Sequence, residues 1–155
     1  MTQPRTNNST SLAVQPHELV AALASLKNSQ QRLGWLVEHA RRRPPMDAAF
    51  RSDEHRVEGC QVRLWFVPTF RARHCYFQAD SDAVTLKALT GLLCDYYSDR
   101  TPDEILADQL QFLEKLALLR HLTENRRSTV LRVAEKIRTF AQAQLPARSA
   151  HLNQH

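Results

Sequence analysis

Glycine is nearly missing from this chain. Three occur, Gly34, Gly59 and Gly91, where an average usage of roughly 7% would give about eleven. That scarcity excludes a glycine-rich phosphate loop, a dinucleotide-binding turn and a collagen-like repeat. Cysteine is also sparse: Cys60, Cys75 and Cys94 are odd in number, widely spaced and contain no C-x-x-C pair. Such a set suits neither a disulfide framework nor a zinc ribbon or finger. Long apolar runs are absent, since stretches such as Leu64 to Val67 and Leu116 to Leu119 are far too short to span a bilayer. Met1 to Ser11 lack the apolar core of a secretory signal. These absences point to a reducing, cytoplasmic compartment with free thiols and no membrane association. The question becomes whether one of the thiols does chemistry.

What is present suits one compact domain. The chain has 155 residues, 43% hydrophobic and 24% charged, an ordinary globular mix. The formal net charge is +5, and the basic residues are scattered apart from Arg41-Arg42-Arg43 and Arg126-Arg127. No aromatic–basic interleaving accompanies that charge, so the pattern does not indicate a nucleic-acid interface. Arg41 to Arg43 read more simply as cations ending a helix, where they complement its dipole.

Residues 1 to about 14 are rich in Thr, Asn, Gln and Ser and are expected to be a disordered tail. The stretch 145 to 155 around Pro146 reads the same way, which leaves a folded domain over about 15 to 144. Pro16 suits a first helical position, followed by Leu19, Val20, Leu23 and Leu26 at helical spacing. Asn28 or Ser29 can cap a second helix, which stops at the Arg run and Pro44-Pro45. From Gln61 to Phe66 the period changes to two, with Val62, Leu64 and Phe66 on one face, and predicts a strand. Pro68 and Thr69 suggest a turn, and Arg73 to Ala79 a second strand closing a hairpin. A short third strand near His55 to Val57 would widen the sheet. Asp80 or Ser81 can then cap a helix carrying Val84, Leu86, Leu89, Leu92, Leu93 and Tyr96. Thr101-Pro102-Asp103-Glu104 is a capping-box start. A further helix is expected over about Gln109 to Leu118, and Thr123 opens the last. Clustered strands and clustered helices mean α+β: a small antiparallel sheet of about three strands packed against helices.

Cys60 stands apart from the other thiols. It follows a polar connection and sits in Val57-Glu58-Gly59-Cys60-Gln61, just before the first strand. Gly59 leaves room for another backbone or reactant to approach the sulfur. His55, Arg56 and Arg63 lie nearby in sequence and could stabilise a thiolate, the nucleophilic form. The plainer alternative is a small buried hydrophobe, a common fate of free cysteine. Cys75 alternates with Phe77 and reads as strand core, and Cys94, beside Leu92 and Leu93, as helix core. His55, His74 and His121 could each serve as a base, but none carries a local signature of a Cys–His enzyme. The cysteine spacing favours no metal.

The sequence around Cys60 also resembles a known family. Val57-Glu58-Gly59-Cys60-Gln61-Val62-Arg63-Leu64-Trp65 is similar to the V-x-G-C-Q-S-x-V-W signature of the SufE/CsdE family, the sulfur acceptors of cysteine desulfurases. Ala79-Asp80-Ser81-Asp82-Ala83 followed by Lys87-Ala88-Leu89 resembles its G-D-S-D-A and V-K-G-L segments. Thr101 to Ile105, Phe112 to Leu118, and His121-Leu122-Thr123 with Arg126 resemble three more, in order, across about residues 29 to 144. The chain departs from the pattern at Val62, where the family has Ser, and at Ala79, Ala88 and Thr129, where it has Gly.

The resemblance implies an α+β fold like that of the IscU scaffold. It implies that Cys60 accepts persulfide sulfur from a SufS/CsdA-type cysteine desulfurase, stimulates that enzyme, and passes sulfur to an Fe–S scaffold or another acceptor. No cofactor is implied for this chain, because the pyridoxal phosphate belongs to the desulfurase. Gly59 and Gln61 would shape the loop, and Asp82 and Arg126 would support it or face the partner, in a monomer or homodimer. Two other readings are an Fe–S scaffold, which needs three or more convergent ligands, and a regulator that acts by docking alone.

Overall fold

The computed structural model describes residues 16–146. The expected tail at 1–14 lies outside the described residues, as does the expected tail at 145–155 apart from Leu145 and Pro146. The elements run α1 (Pro16–Ala24), α2 (Ser29–Arg42), two short 3-10 turns (Ala48–Phe50 and Asp53–His55), β1 (Leu64–Arg71), β2 (His74–Ser81), α3 (Val84–Tyr97), α4 (Pro102–Ala107), α5 (Gln111–Lys115) and α6 (Glu124–Ala143). This is the α+β arrangement expected from the clustering of the two periods.

Several helix starts follow from their capping residues. Asn28 accepts from the Gln31 amide at the head of α2. Thr101 and Glu104 form the reciprocal capping box of α4, with Pro102 in its first turn. Thr123 accepts from the Arg126 amide at the head of α6. Helix α3 is the centre of the core. It packs against β2, α2 and α6, and its Leu86, Leu89, Leu93 and Cys94 are almost wholly removed from solvent.

The sheet has two strands where about three were expected. Arg56 bridges Trp65, and the Val57 amide donates to the Leu64 carbonyl at 2.8 Å. The would-be third strand ends there, because Asp53–His55 winds into a 3-10 turn before it and the chain turns away at Gly59, φ 84°, after it. The hairpin turn also differs from expectation. Register pairs Arg71 with His74, so Ala72 and Arg73 form a two-residue turn, at φ 51° and 69°. Those positive angles match the primed turn that right-twisted strands require, although neither residue is one of its usual choices.

Pro68 and Thr69 lie inside β1. Pro68 faces Phe77, whose amide points away from β1 and donates to Ser98 Oγ at 2.9 Å. The pair is therefore a non-hydrogen-bonded one, where the absent proline N–H breaks no ladder bond.

Two helix boundaries shift. Neither Asp80 nor Ser81 caps α3. Its N-cap is Ala83, without a side-chain bond, because both polar side chains are engaged elsewhere. Asp80 accepts from the Met46 and Ser81 amides, and Ser81 Oγ donates to the Arg63 carbonyl and accepts only from the Ala83 amide, at 3.2 Å, not from an amide of the first helical turn. Helix α5 is also shorter than expected, because left-handed residues bracket it at Leu110 and Ala117, φ 59° and 54°.

The alternation along β1 decides what each face covers. Leu64 and Phe66 enter the main core, whereas Trp65 and Val67 pack with Met46, and partly with Phe50, in a second small cluster. The connection 44–55 thus folds over the outer face of the sheet. Arg51 and Arg63 stack on the Trp65 ring at 4.5 and 5.4 Å, which makes Trp65 a covered sheet aromatic.

Candidate functional site

Cys60 sits on a short loop pinned at both ends. On one side Val57 is buried, 1% exposed, and is tied by its amide to Leu64. On the other, the Arg63 carbonyl accepts from Ser81 Oγ at 2.7 Å and from the Asp82 amide at 3.2 Å. Between these anchors the chain turns through Glu58 and Gly59. A left-handed φ there is easy for glycine and strained for residues with a side chain. Cys60 emerges half-buried and packs with Val62 against the edge of the main core.

The group beside the sulfur is Arg132, from α6. Its Nη1 lies 3.8 Å from Cys60 Sγ and donates to the Glu58 carbonyl at 3.1 Å. The same nitrogen lies 2.8 Å from where a Cβ on Gly59 would stand. Residues 58, 59 and 60 therefore all face one guanidinium. Sequence reading did not find Arg132. It is 72 residues from Cys60, and on α6 it is one polar residue beside the buried Val133 and Ala134. No local pattern marks it; only the packing of α6 brings it to the loop.

The other expected site residues fall around the loop. Gln61 is exposed in the bend that follows Cys60. Asp82 is paired to Arg63 Nε at 2.7 Å and to Arg51 Nη2 at 3.4 Å. It therefore grips the far end of the Cys60 loop and ties it to the 44–55 connection. Arg126 lies half-buried in the first turn of α6, where its amide donates to Thr123 Oγ1. The three histidines considered as bases are engaged elsewhere: His55 with Ser52, His74 with the Ala72 carbonyl, and His121 with Ser29 Oγ at 2.8 Å.

The other two thiols are in the core. Cys75 is 0% exposed and Cys94 2% exposed. Burial pushes both thiols up from their ordinary range, and for Cys94 the nearby Asp95 adds to it. Because the thiolate is the reactive form, iodoacetamide added to the native protein at neutral pH is expected to label Cys60 at least about a hundredfold faster than Cys75 or Cys94. Peptide mapping before and after unfolding checks this. Equal labelling of all three in the native state would refute it. Among the described residues, no three His, Cys, Asp or Glu side chains converge as a metal site would require.

Comparison with known proteins gives the family and the fold. The family model described as "SufE: Fe-S metabolism associated domain" matches residues 17–141. The chain belongs to this SufE family of Fe–S metabolism. Among individual proteins, it is 33% identical over 100 residues to the chloroplastic quinolinate synthase of Nicotiana tabacum. That match covers 63% of this chain and 14% of the plant protein, so the chain spans only a small part of that relative's length. Among solved structures, the solution structure of a hypothetical protein from Thermus thermophilus matches with a TM-score of 0.66 and 19% identity. It covers 83% of this chain and 93% of the other, a likeness of fold. Among the described residues, no helix is long and apolar enough to cross a membrane.

Proposed function

We propose that this protein is a sulfur shuttle that takes persulfide sulfur from a cysteine desulfurase onto Cys60 and delivers it for Fe–S cluster assembly. One observation carries the reading. Of three thiols, only Cys60 stands at the surface, on a pinned loop with a guanidinium beside its sulfur. The chemistry is an exchange of one S–S bond for another. The Cys60 thiolate attacks the terminal sulfur of the desulfurase persulfide. The S–S bond in the desulfurase breaks, its own cysteine leaves as a thiolate, and Cys60 holds the terminal sulfur. A second exchange passes that sulfur to a scaffold or another acceptor. The desulfurase supplies the persulfide with its own pyridoxal phosphate, and this chain contributes the thiol and the loop. Three free thiols suit a reducing, cytoplasmic setting. An Fe–S scaffold is the poorer reading, because Cys75 and Cys94 are enclosed by the core and cannot converge with Cys60 on one cluster.

The test is intact mass after incubation with a cysteine desulfurase and L-cysteine. Wild type is expected to gain whole sulfur atoms, removable by reductant and mapped to the peptide holding Cys60. A gain on another residue, or none with a desulfurase that is active and binds the protein, would sink the reading.

A further inference from the structure

We propose that Arg132 is a positioning residue for the Cys60 sulfur: its guanidinium latches the Glu58–Cys60 turn against α6 and retains the sulfur there until a partner draws the loop away. The inference deepens the reading of Cys60 as a sulfur carrier and rests on it. Three contacts on three consecutive residues carry it. Nη1 donates to the Glu58 carbonyl at 3.1 Å and reaches Cys60 Sγ at 3.8 Å. It also occupies the space beside Gly59 that a side chain would take, at 2.8 Å from an added Cβ. One terminal nitrogen can reach both the carbonyl and the sulfur because Nη1 carries two N–H donors.

The loop needs such a hold. Its anchors are the Val57 amide at one end and the Arg63 carbonyl at the other, while Glu58, Gly59 and Gln61 are exposed. Arg132 ties the middle of the span to the body of the protein. A persulfide on Cys60 extends the side chain by one S–S bond of about 2 Å, and rotation about the Cβ–Sγ bond can turn the terminal sulfur toward the same guanidinium. An anionic terminal sulfur is a natural acceptor for it. The Arg132 contacts are exposed, so a docking partner can reach them directly.

The test compares wild type, Arg132→Met and Arg132→Lys as full-length chains, with alkylation rates taken at the high-pH plateau of a pH series, where Cys60 is thiolate in all three and only access to the sulfur differs. The first reading is the rate of Cys60 alkylation by iodoacetamide. The second follows loading with inorganic polysulfide: the Cys60 thiolate attacks an S–S bond of the polysulfide, keeps one sulfur, and releases the shortened polysulfide. The rate at which a small thiol such as glutathione removes that sulfur is then measured. In Arg132→Met both rates are expected to rise about three- to tenfold, the loss of one solvent-exposed hydrogen bond of ordinary strength. Arg132→Lys should fall between, and the thermal midpoint should not move. The latch is wrong if either rate is unchanged or slower, or if the midpoint falls with the rates. Neither rate involves a desulfurase. Unchanged rates would therefore leave the shuttle reading standing, and failure to take sulfur from a desulfurase would leave these rates readable.

Discussion

A Cys60→Ser protein is expected to fold as the parent does and to give no stimulation of a cysteine desulfurase. Retained folding follows from position. Cys60 packs at the edge of the core, half-buried, and serine is nearly its size. The position is only half-buried, so the hydroxyl keeps access to water and the stability change should stay within about 1 kcal/mol. Complete loss of stimulation follows from chemistry. At neutral pH a serine hydroxyl with no adjacent base does not attack a persulfide, whereas a thiolate does. His55, His74 and His121, which could have been such a base, are bonded elsewhere. The measurement is desulfurase turnover against added protein, for both forms, together with binding. Wild-type stimulation by the serine form would make this protein a docking regulator. Binding without stimulation would place its effect in the thiol.

The loop motif and the order of elements were legible in the sequence for definite physical reasons. Cap residues state helix starts locally: Asn28, Thr101 and Thr123 each bond an amide within three residues. A change of period from 3.6 to 2 is likewise local, and it separated the hairpin from the helices. The turn is not legible in the sequence because its usual signals point the wrong way here. Pro68 is tolerated in a non-hydrogen-bonded pair, and Ala72 and Arg73 hold left-handed angles that neither residue advertises. The third strand failed for a similar reason, since a single bridge at Arg56 satisfies the pattern without a ladder.

The site divides in the same way. Gly59 and Cys60 are neighbours in sequence and could be read together. The pairing of Asp82 with Arg63 and Arg51, and the reach of Arg132 to the sulfur, depend on how distant segments pack. Asp80 and Ser81 show the limit clearly. Both are good capping residues, yet Asp80 is spent on the Met46 and Ser81 amides, and Ser81 Oγ bonds the Arg63 carbonyl and reaches only the amide of Ala83 at the mouth of the helix.

That diversion makes Asp80 the polar residue whose loss should cost most. Its carboxylate is buried, 3% exposed as a residue. It accepts from the Met46 amide at 3.0 Å and the Ser81 amide at 2.8 Å, and it lies 3.6 Å from Lys87 Nζ and 3.8 Å from Arg51 Nε. Asp80→Ala would leave a buried amide at Met46 without its acceptor. It would also leave the largely enclosed Lys87 without its counter-charge, and Arg51 with only Asp82. Breaking such an arrangement from one side is expected to destabilise by about 3 kcal/mol, a fall of roughly 10 °C in the thermal midpoint. Asp80→Asn keeps one oxygen for an amide and should lose about half as much.

The consequence reaches the sulfur through connected segments. Asp80 holds the 44–55 connection over Trp65, and its neighbours Ser81 and Asp82 hold Arg63 at the end of the Cys60 loop. Cys60 in the alanine form should therefore alkylate faster even well below the midpoint, while Asp82→Ala should free the loop with a much smaller thermal shift because its ion pairs are exposed. Thermal unfolding and alkylation of the three variants check this order. An Asp80→Ala midpoint within a degree or two of the parent would show that the buried carboxylate is not what joins the outer loop to the sheet.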